Sequence, residues 1–296
     1  MGLVVLSEKE VARFNRDGCL VAPKVITDEE IEELRAELDR VIATHQAGGF
    51  KDDHPKKPVM IGNLGGKADS VVWQVVNIWE ASPAFERLLY LQPVVEALHQ
   101  LTGEADLQVW HDQIQYKPPR HGGINNWHQD APYWPIIKPE TPVTAWIALD
   151  DVDESNGCMW MVPGSHMWGN HIKMIESNPH EKFFEIGKDF TPPTDAEVSK
   201  VELCPWPVKR GEVSFHHSMT WHGSHKNDSD RPRRAIAIHV MTGKAVYVAS
   251  GQHPMKKFIT LKDGESMSRA GEHFPHICKF GKPVAMPQRL MKIPVR

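Results

Sequence analysis

Two histidines and an aspartate, the first pair near the middle of the chain and the other histidine further on, have the types and spacing of a metal site. His128 and Asp130 occur in Trp127-His128-Gln129-Asp130. On a β-strand, residues two apart point to the same side. An imidazole nitrogen and a carboxylate oxygen would then face one point. An H-x-D triplet alone reads equally well as a surface histidine beside a solvated aspartate. Downstream, Trp221-His222-Gly223-Ser224 offers a second imidazole, and Arg233 follows eleven residues after His222. Two histidines and one carboxylate on one face of a metal suit Fe(II) and leave coordination positions open. Those positions can take a bidentate 2-oxo acid and then dioxygen.

A dicarboxylate cosubstrate chelated at one end needs a fixed cation at the other. Arginine is always charged and grips a carboxylate through two parallel hydrogen bonds. Alternation along Arg233–Val240 predicts Arg233, Ala235, Ala237 and His239 on one face, with Arg234, Ile236, Ile238 and Val240 on the other. The small residues beside Arg233 leave room for a ligand, and Ser224 can add a hydroxyl donor. The alternative, a surface charge in a basic RPRR turn, stays with Arg231 and Arg234. His216 and His217 are adjacent, so at most one looks inward. His222 is preferred as the ligand for its His-Gly-Ser context. His239 is read as a satisfied core histidine, and His111, His121 and His225 carry no functional weight. Tyr133 and Trp134, directly after the metal motif, are candidate substrate-binding aromatics. Asn156-Gly157 reads as a turn, and His166 as a loop residue.

Helices come first. Residues 7–18 predict a short helix with Val11 and Phe14 on one side. Thr27 and Glu30 form a capping box, and Ile31, Leu34, Leu38, Val41 and Ile42 make one buried face. Ser82-Pro83 starts another helical stretch, running to about Gly103 with a break at Pro93. From about residue 107 the period changes to strands: LQVWHDQIQYK, TPVTAWIALDDV, EVSFHHSM and RRAIAIHVMT. Many short strands with few later helices predict a sandwich or barrel. One domain is expected over 1–296, mostly helical over 1–105, with a β core over 106–296 and a lid-like insertion at 167–200. The alternative is a two-domain protein split near 105.

The 296 residues carry a net charge of −4, unlike the basic footprint of a nucleic-acid binder. Cysteines 19, 158, 204 and 278 form no C-x-x-C pair, so reduced thiols in the cytoplasm are the simpler reading. The N-terminus turns acidic too early for a signal peptide. No apolar run reaches the roughly 18 residues of a membrane span. The 17 histidines raise the prospect of a metal site.

The segments NWHQDAPYWP (126–135), AWIALDDVDESNGCMWMVPGSH (145–166), FHHSMTWHGSHKN (215–227) and RRAIAIHV (233–240) stand in an order and spacing that resemble the phytanoyl-CoA dioxygenase family. That is a branch of the Fe(II)/2-oxoglutarate oxygenases that includes ectoine hydroxylase. The resemblance implies a mainly β fold with N-terminal helices, a double-stranded β-helix (jelly roll, cupin-like). It implies iron ligands at His128, Asp130 and His222. It places the 2-oxoglutarate carboxylate at Arg233 with help from Ser224, and a cosubstrate-pocket tryptophan at Trp146. A polar contribution comes from Gln113 or Gln115, between which the register is open. Related halogenases replace the ligand carboxylate with a small residue. Asp130 is present, so the resemblance favours hydroxylation or a similar C–H oxidation of a small molecule, consuming O2 and releasing succinate and CO2. Two other classes stay open: a zinc-type hydrolase or isomerase on a cupin-like barrel, and a non-catalytic binding module of the same fold.

Overall fold

The structure, a computed structural model, describes residues 6–51, 56–177, 190–193 and 201–291. Helix α1 (Glu8–Asp17) opens with a Ser7/Glu10 capping box and stops at Gly18, in the left-handed region at φ 71°. A Cβ at Gly18 would lie 2.4 Å from a His166 ring atom, so only glycine fits this reversal. Helix α2 (Asp28–Gln46) carries the expected Thr27/Glu30 box and buries Ile31, Leu34, Leu38, Val41 and Ile42. The next helical stretch is two helices, α3 (Pro83–Leu88) and α4 (Gln92–Thr102). The break falls at Leu91 rather than at Pro93, which occupies the first turn of α4. A proline there has no N–H to bond back into the preceding turn and its ring would clash with it. Ser82 precedes α3 as expected, but it makes no cap; its hydroxyl donates to Glu37 of α2 at 2.6 Å.

Among the described residues there are fifteen strands, numbered in chain order. They are β1 (Cys19–Ala22), β2 (Met60–Asn63), β3 (Trp73–Val76), β4 (Leu107–Lys117), β5 (Asn125–His128), β6 (Ile137–Lys138), β7 (Val143–Ala148), β8 (Met159–Met161), β9 (Cys204–Trp206), β10 (Val213–His216), β11 (His222–Ser224), β12 (Arg233–Thr242), β13 (Val246–Tyr247), β14 (His276–Lys279) and β15 (Lys282–Pro283). The large antiparallel sheet runs β1-β10-β7-β12-β4-β14-β15, with β3 and then β2 branching from β4. The small sheet runs β5-β11-β8-β9, and β6 pairs with β13. This is the curled jelly-roll architecture expected. The two sheets pack through Trp146, Ala148, Ala235 and Ala237 on one side and Met159, Met161 and Trp206 on the other.

Alternation explains how one strand serves two layers. On β12, Ile236, Ile238 and Val240 join a core with the helices, against Ile31, Leu34, Leu38 and Leu98. Arg233, Ala235, Ala237 and His239 face the small sheet, as the pattern predicts. A bulge interrupts the β12/β4 pairing: His239 pairs with His111 and Val240 with Val109. The extra residue, Trp110, is turned into a third cluster with Trp134, Met255 and Phe274. Bulges of this kind re-aim side chains beside active sites.

The insertion expected at 167–200 lies largely outside the described residues. Its described start includes a 3-10 turn (Ser165–Trp168) and α5 (Ile172–Ser177). It is tied to the metal motif by Gln129, whose amide donates to the Gly169 carbonyl (2.8 Å) and accepts from the His171 N–H (3.0 Å). The four cysteines are free. Among the described residues no helix is long and apolar enough to cross a membrane.

In urea unfolding, Thr27→Ala is expected to cost about 1 kcal/mol, the worth of one cap. Ile31→Ala, which empties part of the helix–sheet core, is expected to cost about 2–5 kcal/mol.

Candidate active site

His128 ends β5 and His222 begins β11, and these residues are register partners in the small sheet. Their rings lie 4.2 Å apart, centroid to centroid. Asp130 reaches the same point differently from the expected strand alternation. The strand stops at His128, and Asp130 has helical backbone (φ −74°, ψ −51°) at the start of a 3-10 turn. The Asp130 and Ala131 N–H groups both donate to the Ser218 carbonyl, and this pins the turn. Asp130 Oδ1 lies 3.5 Å from His128 Nε2 and 3.6 Å from His222 Nε2. The three side chains offer ligand atoms within 4.8 Å of one another. Donors each about 2.1 Å from one ion are at most about 4.2 Å apart, and both separations from Asp130 Oδ1 fall inside that limit.

The surroundings fix which atoms face inward. His128 Nδ1 bonds the Asn126 carbonyl at 2.7 Å and His222 Nδ1 the Thr220 carbonyl at 2.8 Å. A carbonyl only accepts, so both Nδ1 atoms carry a proton, and in the neutral ring each Nε2 presents a lone pair. His216 Nε2 donates to Asp130 Oδ2 at 3.3 Å, and the Thr144 hydroxyl lies 3.5 Å from the same oxygen. Oδ1 is thereby left facing the Nε2 atoms of His128 and His222. The inward member of the His216–His217 pair orients the aspartate rather than competing with His222. His217 packs on His166 instead, with ring centroids 5.2 Å apart.

Electrostatics follow from burial. Burial pushes His222 down to about 3, with His128 adding to the shift. Burial would raise Asp130, but His222, His128 and His216 outweigh it and hold the carboxyl well below its usual range. Burial would lower His128, but its hydrogen bond to Asp130 and that residue's charge raise it above the usual value.

Arg233 begins β12, fully buried (0% exposed). Its Nε donates to the Gly157 carbonyl at 3.2 Å and its Nη2 to Ser224 Oγ at 3.4 Å. Among the described residues its Nη1 has no partner. The guanidinium lies over the Trp146 ring at 5.3 Å, a cation–π contact. Thus Arg233, Ser224 and Trp146 are brought together, and the Asn156-Gly157 turn supplies the wall behind the arginine. Sequence reasoning missed Lys117, the register partner of Arg233 on β4. It too is fully buried, and its Nζ donates to Ser224 Oγ at 2.6 Å and to the His225 carbonyl. Burial lowers Lys117 well below the usual lysine range, and Arg233 adds to the effect. Burial also pushes Arg233 down to about 10. Among the described residues neither cation has a carboxylate in ion-pair range. The signal for Lys117 was present in its parity with Gln113 and Gln115.

A cavity of about 590 Å³ opens over His128 and Asp130. Gln113 and Gln115 both line it; two apart on one strand, they share a face, and the choice between them dissolves. Tyr133 lines its rim at 46% exposure, 6.4 Å from the His128 ring, while Trp134 lines it from a buried position.

Comparison with known proteins agrees with this arrangement. The family model "Phytanoyl-CoA dioxygenase (PhyH)" matches residues 14–235. The chain belongs to this family. The rat peroxisomal phytanoyl-CoA dioxygenase is 25% identical over 257 residues, covering 83% of this chain and 71% of that protein. Among solved structures, the non-heme α-ketoglutarate-dependent carbocyclase SnoK from nogalamycin biosynthesis superposes with a TM-score of 0.69. It shows 27% identity over 92% of this chain and 96% of its own. EctD from S. alaskensis, solved with 2-oxoglutarate and 5-hydroxyectoine, shares the fold with a TM-score of 0.62, at 19% identity over 84% and 82% of the two chains. The PhyH-family chain described here is an Fe(II)- and 2-oxoglutarate-dependent dioxygenase by class. The residues present fit that requirement: two inward imidazole lone pairs, one carboxylate oxygen, and a buried guanidinium with an unpartnered N–H.

Burial also pushes His217, His239 and His253 down to about 4. The unfolded chain takes up protons near pH 6.5, whereas the folded chain resists until about pH 4. Stability from these groups is therefore complete above pH 6.5 and is lost as pH falls toward 4. Thermal unfolding of the chelator-treated protein is expected to show a falling Tm from pH 7 to pH 5. The expected slope is up to about 1.4 kcal/mol per pH unit for each such histidine. A flat profile would show that these imidazoles are protonated in the folded state.

Proposed function

We propose that the protein oxidises a C–H bond of a small organic substrate, by hydroxylation in the simplest case, coupled to conversion of 2-oxoglutarate and O2 into succinate and CO2. Iron held by His128, Asp130 and His222 supplies the oxidising chemistry when bound, and the chain's own groups do the rest. The observation that carries this reading is the buried guanidinium of Arg233, with one N–H unpartnered among the described residues, meeting Lys117 at one hydroxyl two residues from His222. A buried charge without a partner is strongly disfavoured. A dicarboxylate that reaches from the metal ligands to Arg233 supplies the missing anion. A hydrolase has no use for this pair, which sets the zinc-type alternative aside.

In this reading Arg233 binds the distal carboxylate through its free Nη1, and Trp146 holds the guanidinium flat. Lys117 and Arg233 both donate to Ser224 Oγ, so the serine proton is free for an acceptor, either Asn125 Oδ1 at 3.2 Å or the carboxylate. Ala235 and Ala237, between Arg233 and His239, leave space along the sheet. Gln113 and Gln115 offer amide groups to the cosubstrate from the neighbouring strand, while Tyr133 and Trp134 meet the substrate. His216 and Thr144 keep Asp130 aimed while the substrate is exchanged.

Asp130→Ala is expected to weaken Fe(II) binding more than about 100-fold, beyond the usual loss of an outer hydrogen-bond partner; full retention of iron in anaerobic metal analysis removes Asp130 from the ligand set. Arg233→Ala is expected to weaken 2-oxoglutarate binding by roughly 10- to 150-fold, the equivalent of a lost charge-assisted hydrogen bond of about 1.5–3 kcal/mol. Calorimetric titration with an unchanged Kd would show that the carboxylate binds elsewhere. Succinate release dependent on Fe(II) and 2-oxoglutarate is the test of the reaction itself.

A further inference from the structure

Beyond the metal ligands, away from Arg233, three more imidazoles meet. His111 and His239 are register partners across β4 and β12, with ring centroids 4.6 Å apart. His253 stacks on His111 at 5.4 Å, and Trp134 packs against both His111 and His239. All four line the cavity that also contains His128 and Asp130. The site thus has two poles. Ser224 leads from His222 to the buried cations, and Thr144 leads from Asp130 to these histidines.

Hydrogen bonding fixes what each ring offers. His239 Nδ1 lies 2.8 Å from Thr144 Oγ1. The Thr144 hydroxyl faces Asp130 Oδ2 at 3.5 Å, and a carboxylate only accepts. Thr144 therefore directs its proton to Asp130 and accepts from His239 Nδ1–H, which leaves a lone pair on His239 Nε2. His111 Nδ1 faces the Asp112 carbonyl at 3.3 Å, so its Nε2 is an acceptor as well. Both Nε2 atoms are buried and lack a partner among the described residues, a condition that buried polar groups avoid unless a ligand or water completes them. His253 Nδ1 accepts from the Met255 N–H at 3.2 Å, so its proton sits on Nε2, a donor. The three rings are neutral: burial lowers His239 and His253 to about 4 and His111 well below its usual value. No lysine or arginine occurs among the described lining residues. The remaining lining is Gln and Asn amides with apolar side chains such as Met60, Val76 and Ile124.

We propose that His111, His239 and His253 form the recognition subsite for a neutral, hydroxyl-bearing substrate. Two O–H (or N–H) donors go to His111 and His239 Nε2, and an oxygen of the substrate accepts from His253 Nε2–H. The proposal rests on the oxygenase reading and names the substrate class of that site. A carboxylate or phosphate finds lone pairs where it needs donors, and no cation. The bulge at Trp110 is the sequence-local device that brings His111 to His239.

The test uses the Fe(II)-loaded protein. Under anaerobic conditions, 2-oxoglutarate chelation is read from the visible charge-transfer band of the iron. In air, succinate release is read with three probe sets: methyl glycosides and polyhydroxylated aromatic compounds, the O-methyl ethers of the same compounds, and acyl-CoA thioesters with free carboxylic acids. Members of the hydroxylated set are expected to stimulate succinate release. Their ethers should lose at least about tenfold in kcat/KM, because a site built around a hydroxyl rejects the analogue lacking it. His111→Phe and His239→Phe should raise KM at least about tenfold with kcat nearly constant, and His111→Gln, which restores a carbonyl acceptor, should recover much of the loss. The proposal is overturned if only thioesters or acids stimulate, if the ethers match the parent compounds, if both Phe variants keep their KM, or if no neutral compound stimulates. The ether comparison needs no variant and stands even where a Phe variant misfolds. Absence of the charge-transfer band sinks the oxygenase reading; a normal band with no response to neutral compounds sinks this proposal alone.

Discussion

Two basic side chains, Arg233 and Lys117, are buried side by side at the end of a β-ladder with no carboxylate to match them among the described residues. Moving a charge out of water costs several kcal/mol even after the protein relaxes. Folding must offset that cost, and the surroundings do so in part. Gly157 and His225 contribute carbonyls, Ser224 a hydroxyl, and Trp146 the face of its ring. What is left over, among the described residues, is one guanidinium N–H without a partner and a buried basic pair without a counter-anion. The metal end has the complementary imbalance. Asp130 is one carboxylate among three imidazoles, an arrangement that a divalent cation completes.

The architecture keeps these poles apart and in register. The large sheet carries one inner row on β12, Arg233-Ala235-Ala237-His239, and a matching row on β4, Lys117-Gln115-Gln113-His111. The chemistry along both rows changes from cationic, through small or amide side chains, to imidazole. The small sheet lays His128 and His222 across the middle. Helices α2 and α4 cover the outer face of the large sheet with Ile and Leu side chains, so the rows cannot slip by one residue without turning the isoleucines of β12 into the cavity. Helix packing far from the chemistry therefore sets the spacing between the ends of the site.

Much of this was legible from residue types. The inner face of β12, the helix caps and the strand positions follow from local periodicity, which the chain carries regardless of its neighbours. The His128–Asp130 pairing was anticipated for a reason that the structure replaces: Asp130 arrives by a turn clamped to the Ser218 carbonyl, not by alternation. The histidines were harder. Seventeen imidazoles look alike in a sequence, and His111 and His216 gain their roles only from what lies opposite them.

The sequence by itself determined most of the elements, the facial patterns and, Lys117 excepted, the candidate groups for a metal and a dicarboxylate, because these depend on side-chain chemistry and on contacts a few residues apart. Tertiary structure alone decided that Lys117 shares a hydroxyl with Arg233, that His216 steadies Asp130, and that His111 and His239 face each other with their lone pairs unmet. Those outcomes turn on strand order, on one bulge, and on which carbonyl or hydroxyl takes each ring proton. Such pairings join residues from 86 (Asp130 and His216) to 128 (His111 and His239) positions apart, and nothing local in the chain specifies them.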